Sequence, residues 1–360
     1  MAKARIGVIG CGNISEIYLG NLTTRFANVE VAAVADLLPE RSAEKAAAHG
    51  IPRACSVDEL LSDSSIEAVL NLTIPLAHAE ICLAALSAGK HVYTEKPLSV
   101  SLKDGERILS LARKKGLRVG AAPDTFLGAG IQTCVRLIDE GAIGAPVAAT
   151  AFMTCHGHES WHPDPAFYYA QGGGPVFDMG PYYFTALIAM LGPARRVSGS
   201  VSRSFSRRVV GSGPKAGELI EVMVPTHAAG TIDFECGAVA TFILSFDIWH
   251  AELPRMEIYG SDGTLSVPDP NSFGGPVRIK GAQDNEWREV PVELPYAENS
   301  RGLGLSEMME AIAANRPHRA SGDLALHALE IMHAVHDASS SERYANLRFP
   351  AARPEPFAQT

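Results

Sequence analysis

Residues 4–15 read ARIGVIGCGNIS, a stretch that decides the fold of the first third of the chain. Its apolar beginning, Ala4–Ile9, predicts a strand, and the residues after the turn predict a helix. Gly10 permits a tight turn between them, and Gly12 lets the backbone approach an anion with no side chain in the way. A helix N-terminus directly after the turn offers free N–H groups and a partial positive charge. The stretch therefore predicts a phosphate-binding turn, with Ser15 in place of the fingerprint's third glycine.

Short apolar runs alternate with amphipathic segments up to residue 122. The runs VEVAAVA and IEAVLNL are apolar almost throughout, as in strands covered on both faces of a parallel sheet. The predicted strands are Ala4–Ile9, Val29–Ala35, Ile66–Leu72, His91–Thr94 and Leu117–Ala121. The predicted helices are Asn13–Phe26, Pro39–His49, Leu76–Ala88 and Leu102–Lys115. This order predicts an α/β Rossmann domain with a doubly wound parallel sheet over residues 1–122.

Residues 123–345 have the pattern of a second domain, with a mainly antiparallel sheet covered by helices on one face. The predicted strands are Val147–Cys155, Leu219–Val224, Thr231–Phe234, Val239–Phe246, Arg255–Tyr259 and Val277–Lys280. The predicted helices are Gly130–Glu140, Met179–Leu191, Leu305–Ala314 and Leu324–Ala338. Cys236 and Gly237 predict a hairpin turn. The helix over 324–338 could pack back against the first domain.

Asp36 ends the second predicted strand and indicates which dinucleotide would bind. A carboxylate at this position accepts hydrogen bonds from the ribose hydroxyls and repels a 2′-phosphate, which favours NAD over NADP. Asp36 could instead cap the helix that starts near Pro39. Arg41 could bind a 2′-phosphate, so NADP stays open as the cofactor.

Lys96 follows the fourth predicted strand in the sequence HVYTEKP. Pro97 restricts Lys96 to extended backbone and ends the strand there. A lysine at the carboxyl end of a strand in a doubly wound sheet points into the ligand crevice, where it could hydrogen-bond a substrate oxygen. The alternative is a surface lysine before a turn.

Five segments together resemble the glucose–fructose oxidoreductase/inositol dehydrogenase/rhizopine-catabolism (Gfo/Idh/MocA) family. They are GVIGCGNIS, the strand end at Asp36, NLTIPLAHAE, YTEKPL and GGGPVFDMGPYY, and the resemblance runs from Ala4 to Ala338. It implies a Rossmann domain followed by an α+β domain with an open, mostly antiparallel sheet, which binds substrate and forms oligomers. It also implies an NAD-dependent oxidoreductase that moves a hydride between nicotinamide and a secondary hydroxyl or ketone of a sugar, anhydro-sugar or cyclitol.

The resemblance also assigns residues to the cofactor. The cofactor-binding set is Gly10, Gly12, Asn13, Ile14, Asp36, Arg41, Thr73, Pro75, His78, Glu95 and Lys96. In this set Glu95 would lie beside the nicotinamide ribose, and Lys96 would be the catalytic or substrate-orienting lysine. His78 has an alternative role, as a residue at the start of a helix that holds the loop.

The predicted catalytic set is Lys96, Asp178 and Tyr182. Many relatives have histidine at the position of Tyr182, paired with the aspartate for proton transfer, and this chain departs from them. Unperturbed tyrosine titrates near ~10, so Lys96 could be the principal acid–base group. Asp178 and Tyr182 are four residues apart, which places them on one face of a continuous helix. The alternative is that Tyr182 is a core aromatic residue with a satisfied hydroxyl.

The predicted substrate-binding set is Lys96, Asp124, His156, Trp161, Asp178 and Tyr182. Asp124 follows the fifth predicted strand, and an Asx turn is an equally good explanation for it. His156 and Trp161 belong to the stretch CHGHESWH, which resembles a metal site at first sight. Its spacing matches no standard zinc motif, so we predict no metal there and a loop over the substrate instead.

Composition excludes other classes of partner. The formal net charge of −9 argues against nucleic acid and anionic membrane surfaces, since phosphate binding needs clustered Lys and Arg. With no secretory pattern, no apolar run of ~20 residues and six scattered cysteines, we expect a cytoplasmic protein with reduced thiols. By family analogy we expect a homodimer or homotetramer. Two alternative functions stay open: an NAD-retaining enzyme that cleaves glycosides, and a non-catalytic NAD-binding regulator.

Overall fold

The computed structural model describes residues 3–357, which form two compact units. One unit runs to Leu127 and also contains Asn299–Leu326. The other comprises Gly128–Glu298 and the chain from His327 onward. The first unit thus includes residues 299–326, which the predicted boundary after residue 122 places in the second domain.

The first unit contains a parallel sheet with helices between its strands. Its elements up to residue 121 are β1 (Ala4–Ile9), α1 (Ser15–Thr24), β2 (Val29–Ala35), α2 (Pro39–His49), β3 (Ala54–Cys55), α3 (Val57–Ser62), β4 (Ala68–Asn71), α4 (His78–Ser87), β5 (His91–Thr94), α5 (Leu102–Lys115) and β6 (Val119–Ala121). The strand order is β3-β2-β1-β4-β5-β6, and every pair is parallel. The order reverses between β1 and β4, and ligands of such sheets bind at the carboxyl ends of the strands at this point.

The second unit is built on a nine-stranded sheet. Its elements from residue 128 are α6 (Ala129–Asp139), β7 (Pro146–Thr154), α7 (Gly174–Asp178), α8 (Gly180–Leu191), β8 (Ala194–Ser202), β9 (Arg207–Val209), β10 (Leu219–Glu221), β11 (His227–Phe234), β12 (Val239–Ser245), β13 (Met256–Gly260), β14 (Gly263–Val267), β15 (Val277–Gly281) and β16 (Arg288–Val290). The chain ends with α9 (Leu303–Ala313), α10 (Gly322–Ser341) and β17 (Ala345–Asn346). The strand order is β16-β15-β14-β13-β7-β12-β11-β8-β17, while β9 and β10 form a separate hairpin. Only the pair β7–β12 is parallel among these described strands.

Burial patterns explain both sheets. All seven residues of β2 are buried or nearly so, because helices cover both faces of the parallel sheet. In β7, by contrast, buried residues alternate with more exposed ones, which is the pattern of a sheet with one covered face. Every residue of α8 is buried. Gly237 turns β11 into β12 with φ of +93°, as predicted for this hairpin.

The predicted fold class is confirmed, but several short or polar elements escaped the prediction. β8 reads ARRVSGSVS, and its arginine, serine and glycine residues hide a strand that pairs with β11. β3 has two residues and α3 has six, too few for a periodic signal. In the part of the chain from 3 to 357, no helix is both long and apolar enough to span a membrane.

Candidate functional site

The turn after β1 has the geometry that the sequence predicts for an anion. Gly10 has φ of +101°, and a Cβ added there would lie 2.6 Å from the carbonyl carbon of Leu72, so only glycine fits. A Cβ added at Gly12 would meet nothing within 4 Å, which leaves this stretch of backbone open to a ligand. The turn leads directly into α1, where Ile14 provides no side-chain cap. The positive end of the helix dipole at this N-terminus would favour an anion.

Ser15 closes the turn in place of the third glycine. Its side chain is buried, and Oγ donates a hydrogen bond to the carbonyl oxygen of Gly12 at 2.6 Å. Its backbone N–H donates to the same oxygen at 3.1 Å. The serine therefore stabilises the turn, since its hydroxyl has a hydrogen-bond partner within the turn.

Two backbone N–H groups hold the carboxylate of Asp36 in position, one in the glycine turn and one just after β2. Oδ2 accepts a hydrogen bond from the N–H of Cys11 at 2.7 Å, and Oδ1 accepts one from the N–H of Leu38 at 2.9 Å. These bonds hold the carboxylate at the end of β2 beside the glycine turn. Arg41 lies exposed in the first turn of α2, and its guanidinium has no partner within residues 3–357. In Rossmann folds generally, a carboxylate near this position can accept hydrogen bonds from ribose hydroxyls, and a nearby arginine can accommodate a 2′-phosphate.

His78 holds two loops together. Nδ1 lies 2.7 Å from the carbonyl oxygen of Pro97, and Nε2 lies 2.9 Å from that of Thr73. The ring is buried, and this burial lowers its pKa. Thr73 in turn donates from its backbone N–H and its hydroxyl to Oδ1 of Asn71, at 3.2 and 2.7 Å. The contacts support the loop-holding role of His78 and keep Thr73 at the carboxyl end of β4.

Glu95 and Lys96 follow β5 at the same edge of the sheet. Glu95 is buried, and its two oxygens accept from the hydroxyl of Tyr18 at 2.7 Å and from the N–H of Lys96 at 2.9 Å. Burial, followed by the charge of Glu95, raises the pKa of Tyr18 well above its usual value, so Tyr18 acts here as a neutral donor. The side chain of Lys96 is half-buried. Glu95 thus fixes the backbone from which Lys96 extends.

Asp124 has a role that the sequence did not predict. Its Oδ2 accepts hydrogen bonds from the backbone N–H groups of Gly302 and Gly304, at 2.9 and 3.0 Å. These groups lie at the start of α9, so the carboxylate caps a helix 178 residues further along the chain. Burial raises its pKa to about 6. These contacts differ from the Asx turn that the sequence also allowed. They do not test the predicted contact of Asp124 with substrate.

The glycine-rich segment of the second unit opens two helices where the sequence predicts one. A Cβ at Gly173 would lie 2.5 Å from the carbonyl oxygen of Phe167, so the backbone packs closely here. Pro181 has no N–H to continue the hydrogen bonding of the first helix. Asp178 therefore ends α7, and Tyr182 lies buried in the first turn of α8. The inference that the two share one face of a continuous helix does not hold.

The loop after β7 brings a histidine to Asp178. Nε2 of His158 lies 3.2 Å from Oδ2 of Asp178. His156, which the sequence favours as a substrate contact, stacks on Trp249 with ring centroids 3.4 Å apart. Trp161 is 60% exposed and lies edge-on to the ring of His158. No cluster of three or more His, Cys, Asp or Glu side chains suited to a metal occurs among residues 3–357.

A buried ionic network supports this loop. Arg208 lies beneath it and donates to Glu159 at 2.8 Å and also to Asp247. Glu159 accepts a further hydrogen bond from the hydroxyl of Tyr169. The network could not be found from the sequence, because Arg208 sits 49 residues from Glu159 in a short polar strand. His158 was visible in the sequence, but nothing there distinguished it from its neighbouring histidines.

Two family models match most of the chain. The model described as "Oxidoreductase family, NAD-binding Rossmann fold" matches residues 4–122, and the GFO/IDH/MocA C-terminal domain matches residues 131–266. The chain is 31% identical over 353 residues to dTDP-3,4-didehydro-2,6-dideoxy-alpha-D-glucose 3-reductase of Streptomyces violaceoruber, which spans 93% of this chain and 95% of that protein. It is 30% identical over 268 residues to 1,5-anhydro-D-fructose reductase of Ensifer adhaerens, with 72% and 74% covered.

A solved structure has the same fold. The crystal structure of an NAD binding oxidoreductase from Klebsiella pneumoniae matches with a TM-score of 0.83 and 20% identity. The match covers 96% of this chain and 99% of that one. At this level of identity the likeness concerns the architecture alone.

Proposed function

The chain belongs to the Gfo/Idh/MocA family of NAD-binding oxidoreductases, and we propose that it moves a hydride between nicotinamide and a secondary hydroxyl or ketone of a sugar, anhydro-sugar or cyclitol. The observation that carries the proposal is the open glycine turn beside the Asp36 carboxylate. The substrate class is transferred from two relatives, named as reductases of a didehydro-dideoxy-glucose nucleotide and of 1,5-anhydro-D-fructose.

NAD is the cofactor, and the residues of the first unit fit it. Bound NAD supplies the acceptor or donor of the hydride. The backbone over Gly10–Ile14 would hold the pyrophosphate, and Asp36 the adenosine ribose. We assign the remaining contacts to Arg41, Thr73, Pro75, His78, Glu95 and Lys96, with His78 acting through the loop that it holds. The free guanidinium of Arg41 keeps NADP as a second cofactor to be tested.

Proton transfer is assigned to Lys96, Asp178 and Tyr182. An ammonium group after β5 can donate to a substrate oxygen, and the neutral amine can accept the hydroxyl proton. Tyr182 is buried in the first turn of α8, where its hydroxyl would act as a donor to the substrate oxygen. Substrate contacts are assigned in addition to Asp124, His156 and Trp161.

Replacing Lys96 tests the proposal most directly. Lys96→Met should lower kcat by about 10²–10⁴-fold on any substrate that the wild type oxidises, because the proton-transfer group is lost. Affinity for NAD, measured by fluorescence titration, should change little. The matched control is Lys103→Met, since Lys103 is an exposed lysine on α5. Substrates come from a panel of cyclitols, aldoses and anhydro-sugars with NAD and with NADP, and full activity of Lys96→Met would contradict the assignment.

Location and assembly complete the proposal. We assign residues 1–122 to the dinucleotide and 123–345 to the substrate and to a homodimer or homotetramer in the cytoplasm. All six cysteines are free thiols in the structure, as they would be in a reducing compartment. Analytical ultracentrifugation tests the assembly, and a monomer at micromolar concentration would contradict it.

A further inference from the structure

An imidazole and a carboxylate from different elements meet in the second unit. His158 lies in the loop after β7, and Asp178 is the last residue of α7. Their side chains are 12% and 15% exposed, and the Nε2–Oδ2 distance is 3.2 Å. The pair is therefore mostly, but not fully, withdrawn from water. Asp178 belongs to the predicted catalytic set, whereas His158 does not.

The contact determines which ring nitrogen can act as a base. A carboxylate accepts the proton of Nε2–H, which leaves the lone pair on Nδ1. Within residues 3–357, Nδ1 of His158 has no hydrogen-bond partner. Such a ring can take up a proton at Nδ1, and the neighbouring carboxylate of Asp178 stabilises the imidazolium that forms. An unperturbed histidine has a pKa near ~6.5, closer to neutral pH than the ~10 of an unperturbed tyrosine.

The ring is held by packing and by the backbone of its own loop. Its centroid lies 4.2 Å from that of Tyr168 and 4.6 Å from that of Phe246. The N–H of His158 donates to the hydroxyl of Tyr169 at 3.4 Å, and that hydroxyl donates to Glu159. Because Glu159 is paired with the buried Arg208, the loop is anchored to the interior of the unit. A general base needs such fixed geometry before its pKa matters.

We propose that His158 is a catalytic residue, the proton acceptor and donor of the second unit, and this rests on the oxidoreductase function proposed above. In the oxidation direction the O–H bond of the substrate breaks and the proton passes to Nδ1 in place of the Lys96 amine, so Lys96 keeps its proton and serves as hydrogen-bond donor to the substrate oxygen. The electron pair of that bond becomes the second carbon–oxygen bond, and the two electrons removed with the carbon-bound hydrogen go to oxidised NAD. Reduction runs the same steps in reverse, with the protonated ring returning its proton to oxygen.

Other ionisable groups contact the ring or support the loop that carries it. They are Asp178 on α7, Glu159 and His162 in the same loop, Tyr168 and Tyr169 in the following turn, and Arg208 on β9. Burial lowers the pKa of His162 and raises that of Tyr169, so both are neutral near pH 7. Among these groups Asp178 is the one that bonds directly to the imidazole of His158.

The first experiment compares His158→Gln with His250→Gln. Glutamine keeps polarity and removes the titratable ring, and His250 is an exposed histidine of the same unit. We expect kcat of His158→Gln to fall about 100-fold with KM within about threefold, as for loss of a general base. The acidic limb of the wild-type pH profile should disappear. His250→Gln should keep the wild-type kcat and profile. A His158→Gln variant with wild-type kcat and profile would overturn the proposal.

Two further measurements use other variants, and the second of them does not depend on turnover. Added imidazole should restore activity to His158→Ala, and failure of rescue in a variant that melts like the wild type would count against the proposal. The ring of His158, followed by ¹⁵N NMR in the NAD-bound protein, should carry its proton on Nε2 in the wild type and lose this preference in Asp178→Ala, because the carboxylate accepts that proton. An unchanged tautomer would overturn the pairing. If the wild type turns over no member of the substrate panel, the proposed function itself fails.

Discussion

The glycine turn of the first unit and the histidine loop of the second are built in opposite ways. The turn is made of backbone: Gly10 has a conformation that glycine alone adopts easily, and Asp36 is held by main-chain N–H groups. The loop is held by side chains, chiefly the buried charges of Glu159 and Arg208. A backbone site depends on a few neighbouring residues, whereas a side-chain site depends on partners far away in the chain.

The difference has an energetic side. Hydrogen bonds to main-chain groups survive most substitutions, since every residue except proline supplies them. Buried ion pairs are more sensitive to substitution, because removing one partner leaves the other charge desolvated and unpaired. The loop that carries His158 should therefore be the more fragile of the two sites.

Loss of the buried arginine should give the largest effect. Arg208→Met leaves Glu159 and Asp247 without their partner, and we expect the free energy of unfolding to fall by about 3–5 kcal/mol. Urea titration followed by circular dichroism measures this loss. The affinity for NAD should stay within about threefold of the wild type if the two sites are built independently.

The neighbouring arginine offers a control. Arg207 pairs with Glu221 on the surface, where both side chains are about 60% exposed. Arg207→Met should melt like the wild type, because exposed ion pairs contribute little. If Arg207→Met and Arg208→Met lost the same free energy of unfolding, burial of the Arg208 network would not be the cause of the loss.

Two glycines of the turn allow its stability and its binding of NAD to be tested separately. Gly10→Ala should lower the free energy of unfolding by about 1–3 kcal/mol, because its φ is +101° and the new Cβ would press on Leu72. Gly12→Ala should leave stability within about 0.5 kcal/mol of the wild type, since a Cβ there meets no protein atom. It should nevertheless weaken NAD binding by about tenfold or more, measured by calorimetry. Unchanged binding by Gly12→Ala would place the pyrophosphate elsewhere.

Asp124 sharpens the comparison, because it is a long-range side-chain contact within the first unit. Its folded pKa of about 6 lies above the value near ~3.9 expected in the unfolded chain. The protonated group therefore stabilises the fold fully below about pH 4, and this contribution is lost as the pH rises through about 6. Between these limits we expect the free energy of unfolding of the wild type to fall by about 2–3 kcal/mol relative to that of Asp124→Asn.

Asparagine is the matched substitution here, since its amide oxygen can still accept from Gly302 and Gly304. Chemical denaturation of both proteins at pH 4, 5, 6 and 7 measures the difference. A constant gap between the two across this range would mean that Asp124 ionises as readily in the folded protein as in the unfolded one.

The sequence predicted well what short segments encode. The bounds of α2 and α5 agree with the structure, because Pro39 and the glycines that follow both helices mark their ends. The glycine turn and Asp36 were predicted because a phosphate-binding turn needs particular residues at fixed spacing. The strands β8 and β14 were missed, since their polar or glycine-containing sequences are strands only because partners flank them.

The candidate site was predicted in part. The residues assigned to the dinucleotide followed from motif and resemblance, and His78 and Glu95 have defined partners in the structure. Their roles toward NAD stay predictions, as do those of Lys96, Asp178 and Tyr182. The helix break at Pro181 could have been anticipated, because proline cannot donate the hydrogen bond that a continuous helix requires.

By itself, then, the sequence determined the doubly wound first domain, the glycine turn and the family, since each rests on residues that act through their own backbone or their near neighbours. The tertiary structure alone decided which of several histidines faces Asp178 and which arginine neutralises Glu159. Those pairings join residues 20 and 49 positions apart, and only the packed core brings such side chains within hydrogen-bond distance.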